Sequence, residues 1–568
     1  MADDDVVEPL IPSVYNRSAA HRSWRTFYSW KAVLRKMPIS SVQMAEEEPA
    51  EAGIPDPDVH GGALKRQLGV WDLIAYGLAS TLGTGILVTV GDVAKHQAGP
   101  AVVFCFLLAG FAAFLSALCY SEFASRIPVS GSAYSFAYIT LGELVGWFVG
   151  WNLTLEYAIS ASAVARGWTG YFVSALKSVG VHVPGWLYEY KITSFLSVSL
   201  ISAVVVLGCT GLLLFGMKES ARFNAIMTTL NVGIIFFVII CGAFYVDTSN
   251  WTPFAPHGVG GVYRGVGMVF FSYIGFDSVS TLAGEVKRPG RDLPIGIVGT
   301  LLTVTALYIA VSLVLTGMVN YTDLDVDAPL SDAFKHVGAH WAASIVAFGS
   351  LTTMSATTLA SLVGQPRIFF QMSKDGLIFK LFSKVNPKTG VPVEGTLITG
   401  VVSAVIALFL DIDILVNMIS IGTLLAFTVV CGGVIVLRYQ SDNPAEEKKA
   451  PLMTIAYFIG CIIFSARVKI PIHGVSTAVN VVTWLVFAIP AVATFIPLLL
   501  QKQTNIPEKF KCPLVPWVPC LGILMNVWFI ANLDIDSIYR LVIWTSIGMA
   551  IYFLYGIRHS NLAHSPRN

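Results

Sequence analysis

Fourteen apolar runs of membrane-crossing length succeed one another between Trp71 and about residue 556, and no other property of the chain restricts its fold as severely. At about 1.5 Å per helical residue, roughly 20 residues cross a hydrocarbon core of about 30 Å. Lipid offers no partner to a backbone amide, so such runs read as helices whose peptide groups bond internally. They cover approximately 71–94, 100–125, 142–173, 194–217, 221–245, 263–285, 295–318, 342–366, 394–410, 414–437, 452–466, 475–500, 514–533 and 537–556, and the run at 452–466 is the shortest. With 55% hydrophobic and 12% charged residues among 568, a soluble globular domain is excluded and an all-α membrane protein is expected. A net charge of +1 provides no field for nucleic acid.

The basic residues orient the stack. Of 36 Lys and Arg, 27 fall on segments that share a side with the N terminus, 8 on the opposite side, and Arg166 within a run. By the positive-inside rule both termini are expected in the cytosol. Residues 1–68 begin MADDDVVEPL, without the basic and apolar regions of a cleaved signal peptide, and read as a cytosolic tail. Within it, 21–37 sets Trp24, Phe27, Trp30 and Leu34 on one helical face with arginines and lysines largely elsewhere, which predicts an interfacial amphipathic helix on an anionic leaflet. The eight cysteines show no CxxC spacing and no His cluster, so neither a metal site nor a disulfide framework is expected, and no cofactor.

Two of the runs are interrupted. The sixth carries Asp277 just after Gly275 and Phe276, and a charge at mid-bilayer costs about 2.5–3.5 kcal/mol on insertion scales. Opening of the helix around Ile274 to Asp277 relieves that cost, because freed carbonyls and the aspartate then line a wet cavity. An N-cap bond from Asp277 is the competing reading. The first run carries Gly77, Gly83 and Gly85 among Ser80, Thr81 and Thr84. Glycines in membrane helices more often mark close packing, but Gly83 and Gly275 lie about 190 residues apart, the spacing of two five-helix repeats (71–245 and 263–437) within a core at 69–437. An odd number of spans inverts the second repeat, and Gly-broken helices in corresponding positions point to a transporter site at mid-membrane. Four further spans at 438–556 and a tail at 557–568 complete the chain. Amides at about Gly83–Gly85 would suit a carboxylate and carbonyls around Phe271–Ile274 an ammonium, together a cradle for an α-amino acid.

The segments STLGTGI (80–86), CYSEFASRIPVSGSAYSF (119–136), GWNLTLEYAISASAVAR (150–166), FFSYIGFDSVST (270–281), RDLPIGI (291–297), MSKDGL (372–377) and SIGTLLAF (420–427) together resemble the cationic amino acid transporters of the amino acid, polyamine and organocation superfamily. The resemblance spans about Gly69 to Gly556. It implies an inverted five-plus-five core with discontinuous helices 1 and 6, four additional helices, and sodium-independent movement of arginine, lysine or ornithine by alternating access. It implies a carboxylate-binding segment at Thr81, Leu82, Gly83, Thr84 and Gly85, and a gate and amine-binding segment at Phe270, Phe271, Ser272, Ile274 and Gly275. Glu156 is similar to the membrane glutamate on which transport depends in that family. Where bacterial relatives carry a proton-linked lysine, this chain has Asn231, so coupling by that lysine is excluded and uniport is expected. The family's acidic pair after the sixth helix is reduced to Gly284-Glu285.

Glu156 is expected to offer negative potential to a cationic substrate, intramembrane carboxylates being rare and usually facing a cavity or a partner. A structural ion pair is the competing role. Arg166 lies roughly 15 Å further along the same helix, too far for a direct pair, and is expected to be structural. Glu122, Arg126, Glu285, Arg291 and Asp292 sit at expected cytosolic ends as inner-gate candidates, with solvated charge as the alternative. The eighth run is rich in hydroxyls, including Thr353, Thr357 and Thr358, which suit a pocket wall or helix packing. No constellation of His, Cys or paired carboxylates calls for a membrane-embedded enzyme. A neutral amino acid or polyamine carrier, and an amino acid sensor on a transporter fold, remain as alternatives. The expected partners are a small amino acid and the lipid bilayer, for a monomer or weakly self-associating chain. The plasma membrane is favoured over a vacuolar or other internal one.

Overall fold

The computed structural model describes residues 68–561 except 84, 129–130, 179, 194–195, 216, 387–390, 442–447 and 468–476. The expected interfacial helix at 21–37 and Thr84 fall outside the described residues, as does the side chain of Glu285. Among those described, nine helical stretches are long and apolar enough to cross a membrane, and three shorter apolar helices join them at Leu200–Phe215, Val393–Phe409 and Trp517–Asn532. The chain is an all-α membrane protein, with one small sheet among the described residues, the antiparallel pair Tyr190–Lys191 and Ser197–Val198. The run at 452–466, the shortest in the sequence, forms the Lys449–Ala466 helix.

Besides the sixth, the first and third expected spans take a less regular form. The first is helical over Val70–Thr81, extended at Leu82, and resumes as a π-helical turn at Gly85–Thr89. It then turns at Gly99 (φ +62°) into the Val102–Arg126 helix. The third is Glu143–Thr154 and Ser160–Ser178, joined by a π turn at Leu155–Ile159 that holds Glu156. Single π turns in membrane helices frequently sit at functional positions because the extra residue re-aims a side chain.

Small residues bring the helices close, as expected where lipid supplies no hydrophobic drive for association. A β-carbon at Gly460 would lie 2.9 Å from the Ala491 backbone, and one at Gly110 would lie 2.8 Å from the Tyr273 hydroxyl. Outward, the Thr477–Leu500 helix exposes Val482, Leu485, Val486 and Ile489, the apolar face that lipid covers.

The last helix is tied to the third and the eighth. The indole nitrogens of Trp147 and Trp151 donate to the carbonyls of Gly548 and Trp544 at 3.0 and 2.9 Å. Tyr552 and Ser560 donate to the Glu143 carboxylate at 3.0 and 2.5 Å. The Asn561 amide donates to the Asp375 carbonyl at 3.0 Å, and the Tyr134 hydroxyl donates to the Asp375 carboxylate at 2.6 Å. Burial pushes the Asp375 carboxyl up to about 6, against the pull of the Tyr134 and Gln371 hydrogen bonds. A folded-state value above the unfolded one stabilises most at low pH and is lost as pH rises through about 6. Relative to wild type, Asp375→Asn should therefore gain thermal stability as pH is raised from 4 to 7, measured as the difference in melting temperature in detergent.

Candidate functional site

The two broken helices cross at their breaks. Beyond the Gly258–Val269 helix the backbone tightens into a 3-10 turn at Phe270–Tyr273, becomes extended at Ile274, and passes through Gly275 at φ +117° before a second 3-10 segment, Phe276–Glu285. A β-carbon on Gly275 would lie 2.5 Å from the Ser80 carbonyl oxygen, and one on Gly85 would lie 2.4 Å from the Ser272 Cα. Each break thus rests against the other, and only glycine permits both the left-handed φ and the approach.

Side chains of neighbouring helices collect the carbonyls that the breaks release. The amide of Asn231 donates to the Leu82 carbonyl at 3.2 Å, and the Thr357 hydroxyl donates to the same oxygen at 2.8 Å. The Tyr308 hydroxyl lies 2.9 Å from the Thr81 carbonyl and 2.7 Å from that of Ser272, so its single proton serves one helix or the other. These bonds explain how unwound backbone persists in a buried setting, where an unpaired peptide group costs about 1–3 kcal/mol. Asn231→Leu combined with Thr357→Val leaves the Leu82 carbonyl without a side-chain donor. That double variant should melt earlier, with a stability loss of about 1–3 kcal/mol read by thermal denaturation.

A small hollow lies at the crossing. It is lined by Ser80, Thr81, Gly83 and Gly85 from the first helix, Phe271, Ser272 and Ile274 from the sixth, Ser160 and Val164 from the third, and Thr357 from the eighth. Six residues expected at the site are therefore among its walls: Thr81, Gly83, Gly85, Phe271, Ser272 and Ile274. Leu82 and Phe270 point into packed surroundings and are fully buried. Ser160 and Val164 were not singled out, although they follow Glu156 at intervals of four, the spacing of one helix face. Past Gly85 the wall is closed, with residues 85–91 buried and the Tyr171 hydroxyl donating to the Leu87 carbonyl at 2.7 Å. Toward the other end of the first helix, Ser80 and Tyr76 are half-buried and Asp72 exposed, one turn apart on one face.

Beside the hollow, two acidic groups meet. The carboxyls of Glu156 and Asp277 face each other within hydrogen-bond reach, 1% and 0% exposed. Glu156 Oε2 accepts a hydrogen bond from the Thr423 hydroxyl at 3.1 Å, while Oε1 has no well-formed partner among the described residues. Both Asp277 oxygens are likewise without a well-formed hydrogen bond, and Asp277 sits in the first turn of the 3-10 segment that begins after Gly275. Nor does any described Lys or Arg form an ion pair with either residue. The hydroxyls of Tyr120 and Tyr157 are buried nearby, that of Tyr157 on the Asp277 side. Two buried carboxyls with no counter-cation among the described residues are costly as a structural device. They suit a group that arrives carrying positive charge.

The gate candidates separate. Glu122 takes a bidentate pair from Arg438, at 2.8 and 2.7 Å, with Arg126 at 3.5 Å and the Cys512 amide at 2.9 Å. Arg438, at the end of the tenth helix, is the partner the sequence did not reveal. Asp292 is buried in the first turn of the Pro289–Met318 helix and Arg291 is exposed there; neither bonds to Glu122. Arg166 is structural, as expected: it donates to the carbonyls of Ala407, Ser197 and Leu408 and pairs with Asp411 at 3.6 Å.

The amino acid permease family model matches residues 68–489, and a second model, for the permease C-terminus, matches 510–560. A methylthioribose transporter of Bacillus subtilis (strain 168) is 38% identical over 88% of this chain and 95% of its own length. A vacuolar cationic amino acid transporter 4 of Arabidopsis thaliana is 37% identical over 88% and 93%. The branched-chain amino acid permease BcaP of Bacillus subtilis (strain 168) is 38% identical over 88% and 95%. A helical membrane protein with broken helices crossing at a polar hollow is a transporter rather than an enzyme. The chain belongs to the amino acid permease family, and cationic amino acid transporters are among its relatives.

Proposed function

We propose that this protein carries cationic L-amino acids, namely arginine, lysine or ornithine, across a membrane by alternating access and without sodium. The observation that carries this reading is the buried Glu156–Asp277 pair, which has no counter-cation among the described residues and stands beside the hollow at the helix crossing. The main-chain end of the substrate occupies the hollow, its carboxylate toward the segment at Gly83–Gly85 and its ammonium toward the carbonyls of Phe271–Ile274. The cationic side chain reaches toward the two carboxyls.

The spacing and mutual contact of the two breaks support a core of two inverted five-helix repeats, 71–245 and 263–437, with four helices appended. The closed wall beyond Gly85 and the half-buried face of Asp72, Tyr76 and Ser80 are features of a state accessible from the cytosol, given cytosolic termini. Asn231 supports uniport. Its amide holds the Leu82 carbonyl where a lysine would otherwise gain and lose a proton. The plasma membrane is our proposed location. The relatives named for methylthioribose and for branched-chain amino acids supply the competing reading, a neutral substrate. Uptake of radiolabelled arginine into proteoliposomes, with and without an imposed pH gradient, tests the proposal. Equal initial rates in both conditions, with no requirement for sodium, are expected. A rate that depends on the gradient would refute uniport, and an absence of arginine flux would refute the carrier.

A further inference from the structure

The network around Glu122 joins three parts of the chain: the Val102–Arg126 helix, the Ile412–Arg438 helix, and the connection at 501–516 that precedes the Trp517–Asn532 helix. Cys512 lies in that connection, and its backbone is fixed on both sides. Its amide donates to Glu122 Oε2 at 2.9 Å, and its carbonyl accepts from Arg438 Nη2 at 3.4 Å. Cys119 is one helical turn before Glu122, which sets its thiol over the same point. The Cys119 thiol lies near those of both Cys431 and Cys512. Cys431 also reaches the Ser116 hydroxyl, at 3.9 Å, on a helix whose surroundings at that depth are fully buried. Cys512 differs. It is 3% exposed, between the exposed Lys511 and Pro513, on a non-helical segment at the aqueous end of the bundle. Where one thiol is oxidised to a sulfenic acid, a neighbouring thiol resolves it to a disulfide.

We propose that Cys512 and Cys119 form an oxidant-sensitive pair, which a peroxide joins into a disulfide that ties the 501–516 connection to the Val102–Arg126 helix. Cys512 attacks the peroxide O–O bond and becomes a sulfenic acid, releasing one water. The Cys119 thiol then attacks the sulfenic sulfur and releases a second water. The two thiols lose two electrons and two protons, all accepted by the peroxide, and a dithiol reductant reverses the change. The bond fixes the end of a helix that packs against the sixth-helix break, where the Tyr273 hydroxyl donates to the Phe106 carbonyl, so it should slow the conformational exchange on which flux depends.

The full chain in proteoliposomes, treated with dilute hydrogen peroxide and digested without reductant, should yield a peptide linking Cys119 to Cys512 by mass spectrometry. Initial arginine uptake should fall to a small fraction and recover with dithiothreitol. Cys512→Ser and Cys119→Ser should each keep basal uptake and lose peroxide sensitivity. No linked peptide, or one joining Cys119 to Cys431 instead, overturns the proposal. So does peroxide inhibition that persists in Cys512→Ser. The peptide is read without any transport assay, so its absence is distinguishable from a failure of the arginine carrier reading.

Discussion

Glu156→Gln should lower arginine uptake by about 100-fold or more while leaving the folded protein in the membrane. The carboxyl is buried, Thr423 is its single well-formed partner among the described residues, and the group it faces is another acid. Glutamine keeps the volume and the hydrogen bond from Thr423 but removes the charge, so packing should hold. Losing one member of a buried charge pair costs about 2–5 kcal/mol, and each 1.4 kcal/mol is tenfold in an equilibrium. If the pair acts as a unit, Asp277→Asn in the Glu156→Gln background should add little further loss, the departure from additivity expected of groups in contact. Initial-rate uptake, normalised to the protein recovered in membranes, checks both points. Unchanged uptake in Glu156→Gln would remove the acid from the mechanism.

Gly85→Ala should be nearly as damaging by a different route. The added methyl would lie 2.4 Å from the Cα of Ser272 and 2.3 Å from its hydroxyl oxygen. A backbone atom cannot rotate aside, so one break must move off the other. Overpacking of this kind costs about 1–3 kcal/mol, and it falls on the surfaces that enclose the hollow. Arginine uptake should drop by more than about tenfold, with melting temperature lowered. Gly83→Ala is the milder comparison, because its methyl would meet the Thr357 side chain, at 2.9 Å from the methyl carbon, rather than backbone. Full activity in Gly85→Ala would mean that the crossing of the breaks does not shape the site.

The parts of this site that sequence revealed share one property: each is an expense in lipid. A carboxyl within an apolar run, as at Glu156 and Asp277, and glycines at mid-span, as at Gly85 and Gly275, cost energy unless something compensates, so together with the spacing of Gly83 and Gly275 they point to the breaks. Residues that compensate carry no such mark. Thr423, Thr357 and Tyr308 are ordinary in membrane helices, and only the fold shows that they hold Glu156, the Leu82 carbonyl and the two breaks. Arg438 was hidden for a related reason. Its place at the end of a span reads as a positive-inside residue, yet it is 3% exposed and clamps Glu122 across more than 300 residues of chain. Glu122 is thereby a tie between helices and the 501–516 connection, where the sequence suggested an inner gate. Ser160 and Val164 were accessible to pattern reasoning from Glu156, but the π turn at Leu155–Ile159 that positions them was not.

Competition in proteoliposomes bears most directly on the central idea that two crossed breaks hold an amino acid whose positive side chain answers the Glu156–Asp277 carboxyls. Radiolabelled arginine should enter protein-containing vesicles, and excess lysine or ornithine should suppress its entry. Leucine, which has the same main-chain groups without the distal charge, should compete weakly, and citrulline, which keeps arginine's shape without its charge, should resemble leucine. Equal competition by citrulline and arginine would contradict the account, because the two acids would then play no part in choosing the substrate.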